Sequence, residues 1–332
     1  MASLAPKLPV EKPAIGIVIP CYNEEAVLAE TSRRLDEKLE SLIERGLVDR
    51  ASRVYFVDDG STDSTWDCIM RLAESNRRFI GIKLTRNHGH QRALYAGLMN
   101  AEGDALVSID ADLQDDINAI DEMVEEYLKG NEIVYGVRDD RLTDSRPKRW
   151  TASLHYWVAA RFGIETIPNH ADFRLMSKRA VMLLGQFRET TLYLRGVVPT
   201  LGLQSSIVYY ARGERFAGES KYGIREMFGL SVGGLTSFSI FPLRFISALG
   251  TLVFVISMLL GIWALHAKLT GSSTAIDGWA STVIPVYLLG GLQLLAIGVA
   301  GEYIGKTYMQ VKNRPLYMVE EIYAPQRDYQ AE

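Results

Sequence analysis

Two stretches without a single Asp, Glu, Lys or Arg, residues 245–265 and 278–301, constrain this 332-residue chain more than any other feature. Each reaches the roughly 20 residues that a helix needs to cross about 30 Å of hydrocarbon. Residues 267–277 join them, which predicts a hairpin with both chain ends on one side of a membrane. Arg225 and Arg244 precede the first stretch, Lys306, Lys312 and Arg314 follow the second, and Lys268 is the basic residue of the connection. That bias predicts a cytoplasmic N-terminal part and tail. A buried hairpin in the core of a large soluble protein is the alternative, and two uncharged runs of spanning length weigh against it. Elsewhere the composition is ordinary. A formal net charge of -4 gives no general attraction to nucleic acid. Cys21 and Cys68 are too few for a disulfide framework. Residues 1–11 lack an apolar run, so no signal peptide is expected.

Ahead of these stretches, short β-rich runs alternate with helical patterns. The runs are residues 15–19, 54–57, 80–84, 105–109 and 133–136, with helices expected over 24–45, 63–74 and 91–101. Such alternation predicts an α/β domain with a mostly parallel sheet covered on both faces, and ligands beyond the carboxyl ends of its strands. Over residues 145–162, Trp150, Leu154, Trp157 and Val158 share a helical face beside Arg146, Lys148, Arg149 and Arg161. A basic helix with tryptophans suits an anionic membrane surface, although a soluble surface helix with a packed aromatic face has the same pattern. The expected plan is a tail over 1–14, a catalytic domain over 15–223, and an amphipathic juxtamembrane segment over 224–243. Two spans within 244–305 (about 244–266 and 279–301) and a cytosolic tail over 306–332 complete it.

The chemistry-bearing residues follow strands. Pro20-Cys21-Tyr22-Asn23-Glu24 comes after the first and Asp58-Asp59-Gly60-Ser61-Thr62-Asp63 after the second. Acidic groups there suit the polar edges of a base or ribose better than phosphate. No glycine-rich dinucleotide or P-loop pattern follows any strand. Taken alone, Asp58-Asp59-Gly60 also reads as a turn with a helix cap at Ser61 or Thr62. The fourth strand ends in Asp110-Ala111-Asp112-Leu113-Gln114. In extended chain, residues two apart share a face, so both carboxylates can address one cation. Mg²⁺ or Mn²⁺ takes such oxygens together with substrate phosphates.

These three motifs resemble those of inverting, nucleotide-sugar-dependent glycosyltransferases of family two with the GT-A fold. Arg86-Asn87-His88-Gly89, the run from Arg215 to Tyr222 (R-F-A-G-E-S-K-Y) and Gly301-Glu302-Tyr303-Ile304-Gly305 make the chain similar to the polyprenyl-phosphate transferases of that family. The resemblance spans about residues 15–323 and is nearest the bacterial bactoprenol type. It implies a GT-A catalytic domain on a two-helix anchor in the bacterial cytoplasmic membrane. It also implies the site roles. Pro20, Tyr22, Glu24, Asp58 and Asp59 hold base and ribose, with Gly89, Asp110 and Ala111 completing the donor site. Asp110, Asp112 and Gln114 hold the metal. Arg138, Arg149, Arg215, Ser220 and Lys221 receive the acceptor phosphate, and Asp172 with Arg174 lines the sugar pocket. Asp112, Asp172 and Arg215 are the catalytic set, Asp172 in a base-like or sugar-orienting position. The partners implied are a UDP-sugar, a polyprenyl phosphate and membrane lipid.

A phosphate acceptor changes what the enzyme must supply. Its second pKa is about 6, so an oxygen is already anionic near pH 7 and no strong base is needed. The reaction class expected is one in-line displacement with inversion, giving a lipid-linked monosaccharide, with glucose the favoured sugar. Aminoarabinose or mannose donors, a processive polysaccharide synthase and a lipid-binding scaffold with an inactive transferase domain are the alternatives. His88 and His90 read as satisfied loop histidines, and Glu302 with Lys306 as a surface ion pair. Gly290, Gly291, Gly298, Gly301 and Gly305 favour close helix contact, hence oligomers through the spans.

Overall fold

The computed structural model describes residues 11–139, 170–187, 193–211 and 279–324, with isolated positions at 189 and between 243 and 266. The expected interfacial helix at 145–162 and the juxtamembrane segment at 224–243 lie outside the described residues, Leu243 apart. The described chain divides into two compact units. One joins the N-terminal domain to the segment from Arg314, and the other is drawn from residues 223–313.

The first unit is built on β1 (Ile15–Cys21), β2 (Arg53–Asp58), β3 (Phe79–Leu84), β4 (Ala105–Ser108) and β5 (Ile133–Arg138). Helices α1 (Glu25–Glu44), α2 (Thr65–Ser75), α3 (His90–Asn100) and α4 (Ala119–Leu128) alternate with them. Then follow β6 (His170–Ser177), α5 (Lys178–Leu184), the short α6 (Leu194–Val197) and β7 (Ser205–Tyr210). The order across the sheet is β7-β5-β6-β4-β1-β2-β3-β8, with β8 at Val319–Tyr323. The segment after residue 306, read from sequence as a separate tail, therefore supplies an edge strand, antiparallel to β3. Its hydrogen-bonding partner is more than two hundred residues away in sequence, so no local pattern marks it.

The sheet is more mixed than the expected mostly parallel one. β1 pairs in parallel with β2 and β4, β2 with β3, and β5 with β7. β6, however, runs against both β4 and β5. This reversal matters for the site, because it brings the start of β6 to the carboxyl end of β4, with Ser108 opposite Arg174.

Alternation sets the layers. Ile15, Ile17 and Ile19 of β1 enter one core with Leu28, Leu35, Leu39 and Leu42 of α1 and Met123 and Val124 of α4. Val18 and Val57 point to the opposite face, where α3 lies close because of Gly97. A Cβ on Gly97 would sit 2.3 Å from Val18 Cγ1 and 2.7 Å from Val57 Cγ2. In the second unit, α7 (Trp279–Val311) carries the second uncharged stretch, and Lys306 Nζ lies 3.9 Å from Glu302, the expected surface pair. Over the described residues alone, no helix is long and apolar enough to cross a membrane.

Gly97→Ala should lift α3 off the sheet at a cost of about 1–3 kcal/mol, the usual range for overpacking. For a domain of this size that is a fall of several degrees in thermal midpoint. Unfolding followed by circular dichroism on the purified protein checks it, and an unchanged midpoint contradicts the close approach.

Candidate active site

Strand order reverses at β1, which has β2 on one side and β4 on the other. The crevice outside the carboxyl ends of β1, β2 and β4 is thus the topological switch point of the sheet, where ligands of α/β domains bind. Register places the ends together, with Cys21 opposite Asp58 and Val18 opposite Ser108. All three acidic motifs open onto this one edge.

The first two motifs are zipped to each other by hydrogen bonds. The Asn23 N–H donates to Ser61 Oγ at 3.0 Å, and the Thr62 N–H donates to Asn23 Oδ1 at 2.8 Å. The Glu24 N–H donates to Thr65 Oγ1 at 2.9 Å, and the Ser64 N–H to Glu25 Oε2 at 3.0 Å. Ser61 and Thr62 are therefore not the helix cap that the sequence alone allowed. Ser64 precedes α2, and its side chain makes no capping bond. Their bonds fix the loop after β1, in which Asn23 takes a positive φ of 54° and Tyr22 remains 37% exposed. Pro20 lies inside β1, and Glu24 sits at the start of α1.

Asp58 and Asp59 are both buried, and burial raises both carboxyl groups above their ordinary range. Their surroundings differ. Asp58 accepts the Ser61 N–H through Oδ1 at 3.3 Å, while its buried Oδ2 has no hydrogen-bond partner among the described residues. Unpaired buried oxygens are rare in folded proteins and mark a place for a ligand group. Asp59 instead uses both oxygens on the loop after β3, accepting the N–H groups of His88 at 2.7 Å and Gly89 at 2.9 Å. Gly60 is required for this approach. Its φ is 66°, and a Cβ there would meet the Arg86 backbone at 2.5 Å. Asp59 is thus a clamp on the Arg86–Gly89 loop as well as a wall of the crevice.

The third motif leaves β4 as a strained loop. Leu113, a buried bulky residue, has a φ of 58°. Such conformations persist only where the surroundings enforce them. Here Thr31 Oγ1 of α1 lies 2.9 Å from the Ala111 carbonyl, and Asp112 Oδ1 accepts the Gln114 N–H at 3.2 Å. Asp110 is pushed up to about 6, first by burial and then by the neighbouring carboxylates of Asp115, Asp172 and Asp112, with His90 opposing.

Asp172 arrives from β6, 3% exposed and bonded on every side. Gln91 Nε2 donates to Oδ2 at 2.8 Å and Arg174 Nη2 to Oδ1 at 2.8 Å. Arg195 donates Nε–H to Oδ1 at 3.3 Å and Nη2–H to Oδ2 at 3.1 Å, while His90 Nε2 lies 3.5 Å away. Burial disfavours its charge, but His90, Arg195 and Arg174 together hold it well below the usual carboxylate range. His90 in turn bridges to Asp110 Oδ1 at 3.5 Å and is raised to about 9 despite burial. Arg174 is 1% exposed and lies beneath Asp172, so it supports that carboxylate and offers no face to an open sugar pocket.

Arg138 is held by Asp115 and Tyr210. Its Nη2 donates to Asp115 Oδ1 at 3.1 Å and its Nε–H to Tyr210 Oη at 3.1 Å. Arg149, Arg215, Ser220 and Lys221 lie outside the described residues. A cleft of about 450 Å³ opens beside Gln114, Asp115 and Asp116, with Arg34 and Lys38 of α1 on its other wall. Sequence reasoning passed over Gln91, Asp115 and Arg195, and it read His90 as a satisfied loop histidine. His90 follows the R-N-H-G run and could have been suspected on that ground. Arg195 carries no local signal at all.

This assembly of three acidic motifs on one switch-point edge has a counterpart among known sequences. The family model described as Glycosyl transferase family 2 matches residues 16–198. The chain belongs to that family. It is 48% identical over 311 residues to the uncharacterized glycosyltransferase YkoT of Bacillus subtilis (strain 168), covering 93% of this chain and 92% of the relative. Over 311 residues it is 38% identical to the SfII prophage-derived bactoprenol glucosyl transferase of Shigella flexneri, covering 92% and 97%. A prophage bactoprenol glucosyl transferase homolog of Escherichia coli (strain K12) is 36% identical, covering 93% and 99%. The protein is accordingly a nucleotide-sugar glycosyltransferase, and the crevice described above is its candidate donor site.

In this family-two enzyme, Asp59→Asn should leave the fold intact and loosen the Arg86–Gly89 loop. A lost charged hydrogen bond is worth about 1.5–3 kcal/mol, so donor affinity should fall roughly 10- to 100-fold. Titration with the nucleotide diphosphate reads this directly, and wild-type affinity in the variant contradicts the clamp.

Proposed function

We propose that this enzyme transfers a single glucose from UDP-glucose to a polyprenyl phosphate at the cytoplasmic face of a bacterial membrane, with inversion. The observation that carries the reading is the unsatisfied acidic crevice. Asp58 presents an unpaired buried oxygen, and Asp110 is raised to about 6 by burial and then by the carboxylates around it, so the site is complemented by a base or ribose and by a cation. The acceptor and sugar are inferred from relatives named bactoprenol glucosyl transferase, which match over the whole length and beyond the family domain.

Asp110 and Asp112, with Gln114 beside them, fit a divalent cation such as Mg²⁺ or Mn²⁺. No group of three or more His, Cys, Asp or Glu is preassembled among the described residues. That suits an ion which takes its remaining ligands from a diphosphate and water. When bound, such an ion would offset the charge that develops on the departing diphosphate. The chain's own groups do the rest. Asp58 and the loop clamped by Asp59 seat the nucleoside. Asp172, already committed to His90, Gln91, Arg174 and Arg195, orients these groups rather than removing a proton. None has to be removed, since the acceptor oxygen is anionic. That oxygen forms a bond to the anomeric carbon as the bond to the UDP oxygen breaks. Arg138, with Arg149, Arg215, Ser220 and Lys221, is assigned to the acceptor phosphate, for which guanidinium groups are well matched.

The two uncharged stretches are proposed as a membrane hairpin. The proposal rests on the sequence, in which each stretch reaches the roughly 20 uncharged residues that a spanning helix needs. The glycines of α7 would let a second copy approach closely.

Asp110→Asn and Asp112→Asn should each abolish turnover while the protein stays folded, since the changes remove charge and almost no volume. The assay incubates membranes with polyprenyl phosphate, a divalent ion and a panel of labelled UDP- and GDP-sugars. A lipid-soluble, mild-acid-labile product from UDP-glucose is expected. A water-soluble polymer, or turnover with a GDP-sugar alone, overturns the assignment.

A further inference from the structure

Two arginines contact Asp172, and they differ in one respect. Arg174 has a side chain only 1% exposed, whereas that of Arg195 is 40% exposed. Arg174 also donates Nη1 to the Leu194 carbonyl at 3.3 Å, one residue before Arg195, so it has a scaffolding task on both sides. Arg195 meets Asp172 along its Nε–Nη2 edge, at 3.3 and 3.1 Å, which leaves its Nη1 edge outside that pair. The Gln91 side chain ties the two elements together, accepting the Leu194 N–H at 3.2 Å while donating to Asp172. The start of α6 is therefore held at Leu194 through both its N–H and its carbonyl, and the two bonds to Asp172 orient the Arg195 guanidinium.

A single carboxylate does not require two guanidiniums for neutrality. Asp172 is balanced by the buried Arg174, so the charge of Arg195 is surplus to the pair. Its charge is felt by Asp110 as well as by Asp172, so it stands at the edge to which both substrates assigned above bring phosphate. A guanidinium whose one edge is locked by a carboxylate keeps planar donors free on the other. It is pre-organised for bidentate contact with a phosphate, at little cost in side-chain ordering.

We infer that Arg195 is a phosphate-binding residue of the transfer site, oriented by Asp172 and Gln91 so that its Nη1 edge receives a phosphate oxygen of a bound substrate. The inference rests on the transferase reading above for which phosphates are present. It adds a cation that none of the sequence motifs contains. The shared chemistry is a phosphate oxyanion, carried by either the donor diphosphate or the acceptor monoester.

The test uses the full-length protein in detergent and measures binding of UDP with Mg²⁺ and of farnesyl phosphate by calorimetry, alongside turnover. Arg195→Ala should weaken one of the two ligands roughly 10- to 100-fold, the loss expected for a charged hydrogen bond, and leave the other within a few-fold. Whichever ligand weakens identifies the phosphate. Arg195→Lys should recover part of the loss, and added guanidinium at millimolar concentration should restore turnover of Arg195→Ala. Packing at a merely structural residue would not respond to that additive. Unchanged affinity for both ligands overturns the assignment. So does a loss that tracks a lowered thermal midpoint and is indifferent to lysine or guanidinium. A wild-type protein that binds both ligands yet transfers no sugar would sink the proposed reaction while leaving the Arg195 comparison readable.

Discussion

Parallel pairing of β1 with both β2 and β4 is the constraint on which the rest of this protein depends. Three strands run the same way, so their carboxyl ends, and the polar loops that leave them, share one edge of the sheet. Nothing in the loops themselves would otherwise bring Asp58 and Asp110 together across the chain. Because the order turns back at β1, helices fall away to opposite faces and leave a crevice there. The reversed strand β6 then adds what parallel winding cannot. It enters at the carboxyl end of β4 and delivers Asp172 to that crevice, with Ser108 Oγ donating to the Asp172 carbonyl.

Charge is arranged around the crevice in two opposed groups. On one side stand Asp58, Asp59, Asp110 and Asp112, and for the first three burial disfavours the ionised form. On the other, Asp172 collects Arg174, Arg195 and His90. A nucleoside diphosphate and a phosphate acceptor are both anions, and an all-acidic cleft would repel them. A cation near the first group and guanidiniums near the second remove that conflict. The same argument explains why Asp172 is so fully bonded. A buried carboxylate survives only with partners, and these partners give it a fixed shape from which others are oriented.

Loop rigidity has its own physical source. The loop after β1 is bonded to the loop after β2, and Asp59 clamps the loop after β3, across the gap that Gly60 leaves open. Each loop is thus held by a neighbour as well as by its own turn chemistry. Binding residues on loops need such support, since the entropy lost in fixing them is otherwise charged against affinity.

Much of this was legible in the sequence. The five leading strands, the first three helices and the acidic motifs at strand ends follow from period and from residue type, and each stands within a few residues of its expected place. Those are local properties, set by alternation and by apolar spacing that a short window contains. What only the tertiary structure decided is long in range. β8 joins the sheet from beyond residue 306 because an edge strand is specified by its partner β3, and α6 brings Arg195 to Asp172 because β6 runs backwards through the sheet. His90 looked like an ordinary loop histidine until its ring was found between two carboxylates, Asp110 after β4 and Asp172 of β6. The sequence by itself determined which groups the protein possesses and which strands carry them. Which groups face one another was decided by strand order and direction, since hydrogen bonds and ion pairs act over a few ångströms of space and take no account of distance along the chain.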